Sequence, residues 1–293
     1  MTNTEKICID NKHFEGERAL FKTKNAEISN CLFDNGESPL KECSDLFVNQ
    51  CTFGWKYPLW YGTNFKVRYC SFLEMARAGI WYTTNSTFKH LSIIAPKEFR
   101  HCNGIVVEDV TFENAAETLW WCEDVTLKEV KAKGSYLLMQ SKNVVVDHLE
   151  LEGDYGFDGC ENLNVKNSVL HTKDAFWNCK NATIENCEIE GEYLGWNSEN
   201  ITFIHCRIKS HQGLCYIKGL KLIDCELIDS DLAFEYCSNI EAEIHSTINS
   251  VKNPLSGIIK ADAIQEIIRD DSNVNPKNTI ILVKREDGEY HAV

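Results

Sequence analysis

ATIENCEI (residues 182–189), ITFIHCRI (201–208) and LKLIDCEL (220–227) are copies of one frame, apolar–x–apolar–x–x–small–x–apolar, set 19 residues apart. Working outward, the frame recurs as AEISNCLF (26–33), LFVNQCTF (46–53), FKVRYCSF (65–72) and IVVEDVTF (105–112). Its central apolar residue falls at Ile9, Ile28, Val48, Val67, Phe88, Val107, Leu127, Val146, Val165, Ile184, Phe203, Leu222 and Ala242, thirteen positions in steps of 19–21. Self-similarity at such a period marks a solenoid. The alternation inside the frame has period two, so the repeating element is a strand.

Five residues before each central position lies a row of small residues, among them Thr23, Cys43, Gly62, Thr83, Cys102, Ser141, Cys179 and Ser198, with Ile217 the exception. Two residues further on, Asn25, Asp45, Asn64, Asn85, Gly104, Asp124, Asn143, Asn162, Asn181, Asn200, Gly219 and Asn239 are all Asn, Asp or Gly. Those residues best tolerate left-handed backbone, so each repeat turns a tight corner there. Residues such as Asn30 and Asn186 offer a second bend. An apolar row through Leu20, Leu40, Leu59, Ile80, Phe99 and Leu119 precedes the small row. The expected fold is all-β: a right-handed parallel β-helix of about thirteen rungs, each hydrogen-bonded to the next. A leucine-rich horseshoe would show an L-x-x-L-x-L-x-x-N frame, which is absent. The helix is expected over residues 1–250, with 251–293 as a C-terminal cap or tail and residues 3–14 shielding the first rung.

Net charge is −14, which disfavours nucleic acid and anionic membranes as partners. Residues 1–10 lack the basic and apolar regions of a signal peptide, and no apolar run reaches membrane-spanning length; the expected location is the cytoplasm. Fourteen cysteines suggest disulfides or metal until the period is applied. Cys31, Cys51, Cys70, Cys187, Cys206 and Cys225 share one repeat position; Cys43, Cys102, Cys122, Cys160, Cys179 and Cys237 share another. They interchange with small or apolar residues and form no CxxC pair, which describes a ladder of buried free thiols rather than a zinc site. No metal and no cofactor is expected. The sequons at Asn85, Asn181 and Asn200 coincide with the corner row, which accounts for them without glycosylation.

Two residues before the small row stand Phe21, Lys41, Trp60, Trp81, Arg100, Trp120, Met139, Asp158, Trp177, Trp196, Cys215 and Glu235. Charges in this row argue that it faces outward. Trp60, Trp81, Trp120, Trp177 and Trp196, with Asp158, Asp174 and Glu192 nearby, therefore suit recognition of a carbohydrate or sugar acid. A scaffold that binds a protein or a second copy through the same face is the alternative, as is coverage by residues 271–293. For catalysis of the polysaccharide lyase or hydrolase kind, Arg77, Arg100, His101 and Glu117 come first, as groups able to acidify and remove an α-proton. Asp154, Asp158, Lys173, Asp174 and Glu192 come second, as an acid–base set. Opposite charges stacked between rungs explain either cluster equally well.

GERALF (16–21), GESPLKE (36–42), KYPLWY (56–61), EMARAGIWYT (74–83), NAAETLWWC (114–122), KDAFWNC (173–179), GEYLGWNS (191–198), QGLCYI (212–217) and VKNPLSG (251–257) resemble the bacterial family of unknown function numbered 3737. The likeness runs from about residue 10 to 270. It implies a right-handed β-helix and carries no activity. Its strings fall on the tryptophan and charge rows, which favours a surface role.

Overall fold

In the computed structural model, residues 6–293 are described; of the expected N-terminal shield, residues 3–5 lie outside them. The chain forms two compact units, 1–150 and 151–293. In the first, Ile9, Ile28, Val48, Val67, Phe88, Val107 and Leu127 pair one above another in parallel register. In the second, Val165, Ile184, Phe203, Leu222 and Ala242 do the same. The chain is thus an all-β parallel solenoid of about fifteen turns rather than thirteen. The added turns come from residues beyond the expected end of the repeat. Gly257–Ile268 pairs parallel with Ile240–Lys252, and Thr279–Lys284 pairs parallel in turn, placing Ile259 over Ala242 and Ile281 over Ile259. The steps there are irregular, so the period fades from the sequence while the hydrogen-bond ladder continues. Tyr290–Ala292 then folds back antiparallel on Thr279–Lys284.

Asn25, Asp45, Asn64, Asn85, Asn143, Asn162, Asn181 and Asn200 all have φ between 50° and 57°, and Asn30 and Asn186 mark the second bend at 54° and 52°. The corner side chains also hydrogen-bond vertically: Asn64 Nδ2 donates to Asp45 Oδ1 (2.9 Å), and Asn200 Nδ2 to Asn181 Oδ1 (3.1 Å). Further left-handed residues recur before the small row, and many are bulky: Tyr61, Tyr82, His101 and Trp121 at 51–58°. Inside the coil, Phe14, Phe33, Phe53 and Phe72 stack at 4.8–5.1 Å between centroids.

The small row is a hydrogen-bonding device as well as a space-filler. Ser141 Oγ donates to Leu119 O (2.7 Å), Ser198 Oγ to Phe176 O (2.6 Å) and Thr83 Oγ1 to Leu59 O (2.7 Å). Cys43 Sγ and Cys237 Sγ donate in the same way, to Leu20 O and Leu214 O. The same side chains accept from the rung below: Cys122 N to Ser141 Oγ, and Ile217 N to Cys237 Sγ. Cys, Ser and Thr interchange because each supplies a donor and an acceptor in a small volume. Thirteen cysteines are buried and free; Cys8 is exposed. Burial pushes the Cys43 thiol up to about 11, away from the reactive thiolate.

Two expectations follow. Native protein treated with a thiol reagent should label on Cys8 alone, with the remainder reacting only after denaturation; labelling of several thiols in the native state would contradict the buried ladder. Ser141→Ala, which strands Leu119 O and Cys122 N, should cost about 1–3 kcal/mol in urea unfolding, whereas Ser141→Cys should cost clearly less.

Candidate functional site

In residues 6–150, Trp81, Arg100 and Trp120 are vertical neighbours, bridged in parallel register. The Arg100 guanidinium lies 5.0 Å from the Trp81 ring and 4.4 Å from the Trp120 ring. Its side chain is 12% exposed, and Nη2 reaches Glu117 Oε2 at 2.5 Å. Lys97 Nζ meets the same oxygen at 3.1 Å. Partial burial raises the Glu117 pKa, but hydrogen bonds and charge from Lys97 and Arg100 outweigh it and hold the carboxyl below its ordinary range. Glu117 is therefore an anchored anion, poorly suited to give up a proton. Arg77 is exposed, with no ion pair among the described residues.

Trp60, Trp81 and Trp120 are half-buried. Trp60 and Trp81 stack at 5.2 Å and 8°, so each covers a face of the other, and Arg100 covers faces of Trp81 and Trp120. Their indole N–H groups are engaged too: Trp60 with Ala78 O, Trp81 with Lys97 O (2.9 Å) and Trp120 with Tyr136 O (2.6 Å). Open platforms for sugar rings are scarce in this row. The exposed column is the next one, unremarked in the sequence. Tyr61 stacks on Tyr82 (4.7 Å, 5°), Tyr82 on His101 (5.1 Å, 5°) and His101 on Trp121 (5.1 Å, 8°). Lys41 Nζ lies 5.5 Å from the Tyr61 ring, and Trp121 Nε1 donates to Gln140 Oε1. Tyr61, Tyr82 and Trp121 are 46%, 38% and 40% exposed. A side chain leaving a left-handed corner points away from the coil and over its equivalent one rung away, which builds the column. Sequence reading missed it because only Asn, Asp and Gly advertise such corners.

Residues 151–293 place the other candidates. Trp177 and Trp196 lie 5.8 Å apart, tilted 35°, and Trp177 Nε1 donates to Tyr193 O. Lys173 pairs with Glu192 at 2.9 Å, and Asp158 accepts from Asn178 Nδ2. Two charges expected on the surface are instead buried. Asp174 is 4% exposed; burial pushes its carboxyl up, against the Tyr155 hydroxyl and Lys173. Glu235 is also buried, held by Lys252 Nζ at 3.0 Å and by the Gln212 amide. Cys215, in the same row, lies inside as well. This row thus leaves the outward pattern near the second unit's later rungs.

Glu98 escaped the sequence reading altogether. It is fully buried, with Oε1 accepting from Gly79 N (3.1 Å) and Oε2 without a partner. A Cβ at residue 79 would come within 2.4 Å of Oε2, so Gly79 makes the room. Burial raises the Glu98 carboxyl well above its ordinary value, outweighing the amides of Gly79 and Ile80.

The native state therefore holds a proton on Glu98 that the unfolded chain releases above about pH 4.3. Stability from this group is complete below that pH and falls as pH rises toward the native pKa. Urea unfolding across pH 4–8 should show this decline in wild type and a flatter profile in Glu98→Gln. Arg100→Ala should cost about 2 kcal/mol, through the lost charged hydrogen bond and the emptied gap between two indoles; Arg100→Lys should recover only part, lacking the flat guanidinium.

No curated protein matches the sequence. Among solved structures, a tailspike protein mutant of E. coli bacteriophage HK620 in complex with a pentasaccharide is 7% identical, covers 94% of this chain and 72% of its own, and has a TM-score of 0.40. The A-module of the Azotobacter vinelandii mannuronan C-5 epimerase AlgE4 gives 9%, 94%, 91% and 0.32, and PfbA, a surface adhesin of Streptococcus pneumoniae, gives 7%, 98%, 90% and 0.40. None of these likenesses bears on function. No helix among the described residues is long and apolar enough to cross a membrane. The sequence strings and the β-solenoid agree with a family model that matches residues 7–282: the chain belongs to DUF3737, a family of proteins of unknown function.

Proposed function

We propose that the column Tyr61–Tyr82–His101–Trp121 is a recognition surface for an acidic carbohydrate, with binding rather than turnover as its task. The observation that carries this reading is the exposure of large aromatic rings on corners where small polar residues fold as well. At the same corner in residues 151–293 stand Gly159, Asn178 and Asn197, before rings return at Tyr216 and Tyr236, and Asn197 Nδ2 donates to Asn178 Oδ1 at 2.9 Å. Left-handed backbone costs a bulky residue about 1–2 kcal/mol, and each stacked pair returns about 0.5–1.5 kcal/mol. Stability is thus nearly indifferent, while contiguous exposed rings in water mark an interaction surface.

Because the rings cover one another's faces, a ligand meets their edges, the positive rim of the aromatic quadrupole. Tyrosine hydroxyls, the His101 imidazole and Lys41 border that rim. Such a surface complements carboxylate and hydroxyl oxygens, hence a uronate, better than a neutral sugar seeking a flat platform. Trp60, Trp81, Arg100 and Trp120 form its backing, and Glu117, engaged by two cations, holds Arg100 in place. The free thiols fit a reducing compartment, so a short imported oligouronate suits the reading better than an external polymer.

Calorimetric titration with an oligogalacturonide should give saturable binding, weakened more than about ten-fold in Lys41→Ala and in Tyr82→Ala, with a neutral oligosaccharide of equal length binding poorly. Absence of binding to the acidic sugar would remove the proposal. Self-association at high concentration that disappears in Tyr82→Ala would assign the column to a second copy of the chain instead.

A further inference from the structure

We propose a divalent transition-metal site, suited to zinc, formed by Asp224, Glu243 and His245, with solvent completing its coordination. One oxygen or nitrogen from each of Asp224, Glu243 and His245 lies within 4.8 Å of the others. His245 Nε2 is 3.1 Å from Asp224 Oδ1, and His205 Nδ1 is 3.8 Å from Asp224 Oδ2, approaching from the preceding rung. Other histidine–carboxylate neighbours on the coil include His90 with Asp109 at 2.7 Å and His211 with Asp231 at 2.8 Å.

The convergence has a backbone cause. Between Leu222 and Cys225 the register offset drops from 20 to 19, so Ile223 and Asp224 oppose Glu243 alone. One rung on, between Ile244 and Thr247, it drops from 17 to 16, so His245 and Ser246 oppose Asp262. Asp224 and His245 thus each occupy a bulge, the device that re-aims side chains beside sites. Asp224 also takes the left-handed conformation, at φ 50°. A tetrahedral zinc with nitrogen and oxygen arms near 2.1 Å has ligand-to-ligand edges of about 3.4 Å. The Asp224–His245 edge, at 3.1 Å, is already near that value, and a Glu243 oxygen lies within 4.8 Å of both groups. An imidazole with two carboxylates suits zinc and its neighbours in the first transition row better than calcium or magnesium. Bound there, the ion would clip together two rungs at the place where the ladder slips.

The test is Zn2+ titration of reduced full-length protein in the Cys8→Ser background, which removes the exposed thiol. About one equivalent should bind and raise the melting temperature. Asp224→Asn and His245→Ala, both surface changes, should keep the fold and each weaken binding more than about ten-fold. Cobalt bound in place of zinc should show no thiolate charge-transfer band. Zinc binding unchanged in both variants, a thiolate band, or no binding by the Cys8→Ser protein would each overturn the proposal.

Discussion

Parallel register from rung to rung is the constraint on which everything else depends. Each strand hydrogen-bonds to the equivalent strand about 19 residues later, so every side chain has its counterpart directly above and below. Rows rather than individual residues are then the units of selection. An inward row must be apolar throughout, as from Ile9 to Leu127. An outward row must alternate charge, stack rings or join amides, because like charges one rung apart repel. Lys89 over Glu108 and Lys166 over Glu185 follow that rule, as do the asparagine corners.

The same constraint explains how polar atoms survive inside so narrow a coil. A corner carbonyl and a corner amide turn inward where no strand neighbour can reach them. The small row answers both with one hydroxyl or thiol. Glu98 is the departure from this economy: its carboxyl lies where the equivalent residues are Pro39, Pro58 and Gly79, and only protonation makes the position tolerable. Arg100 solves the opposite problem, keeping its charge by lying between two indoles and against Glu117.

Register also decides where chemistry can gather. A strictly periodic coil gives each surface group one neighbour up and one down, enough for ladders and ion pairs. Binding beyond that needs either a continuous column, as at Tyr61, Tyr82, His101 and Trp121, or a lapse in the period, as at Asp224 and His245. The first follows from regularity, the second from its failure.

By itself the sequence determined the strand repeat, the Asn, Asp and Gly corners, the buried thiol ladder and the row holding Trp60, Trp81, Arg100 and Trp120. These are properties of a one-dimensional pattern, and a solenoid projects that pattern directly into space. The sequence did not disclose the turns at Ile259 and Ile281, where steps of 17 and 22 residues hide a ladder that hydrogen bonds still recognise. Nor did it disclose that tryptophan faces cover one another, that Asp174 and Glu235 turn inward, or that tyrosines occupy left-handed corners. Those outcomes depend on φ at single residues and on which ring meets which across a rung. Only the folded coil decides them, because a bulky residue adopts such a corner when its stacking partner is already in place.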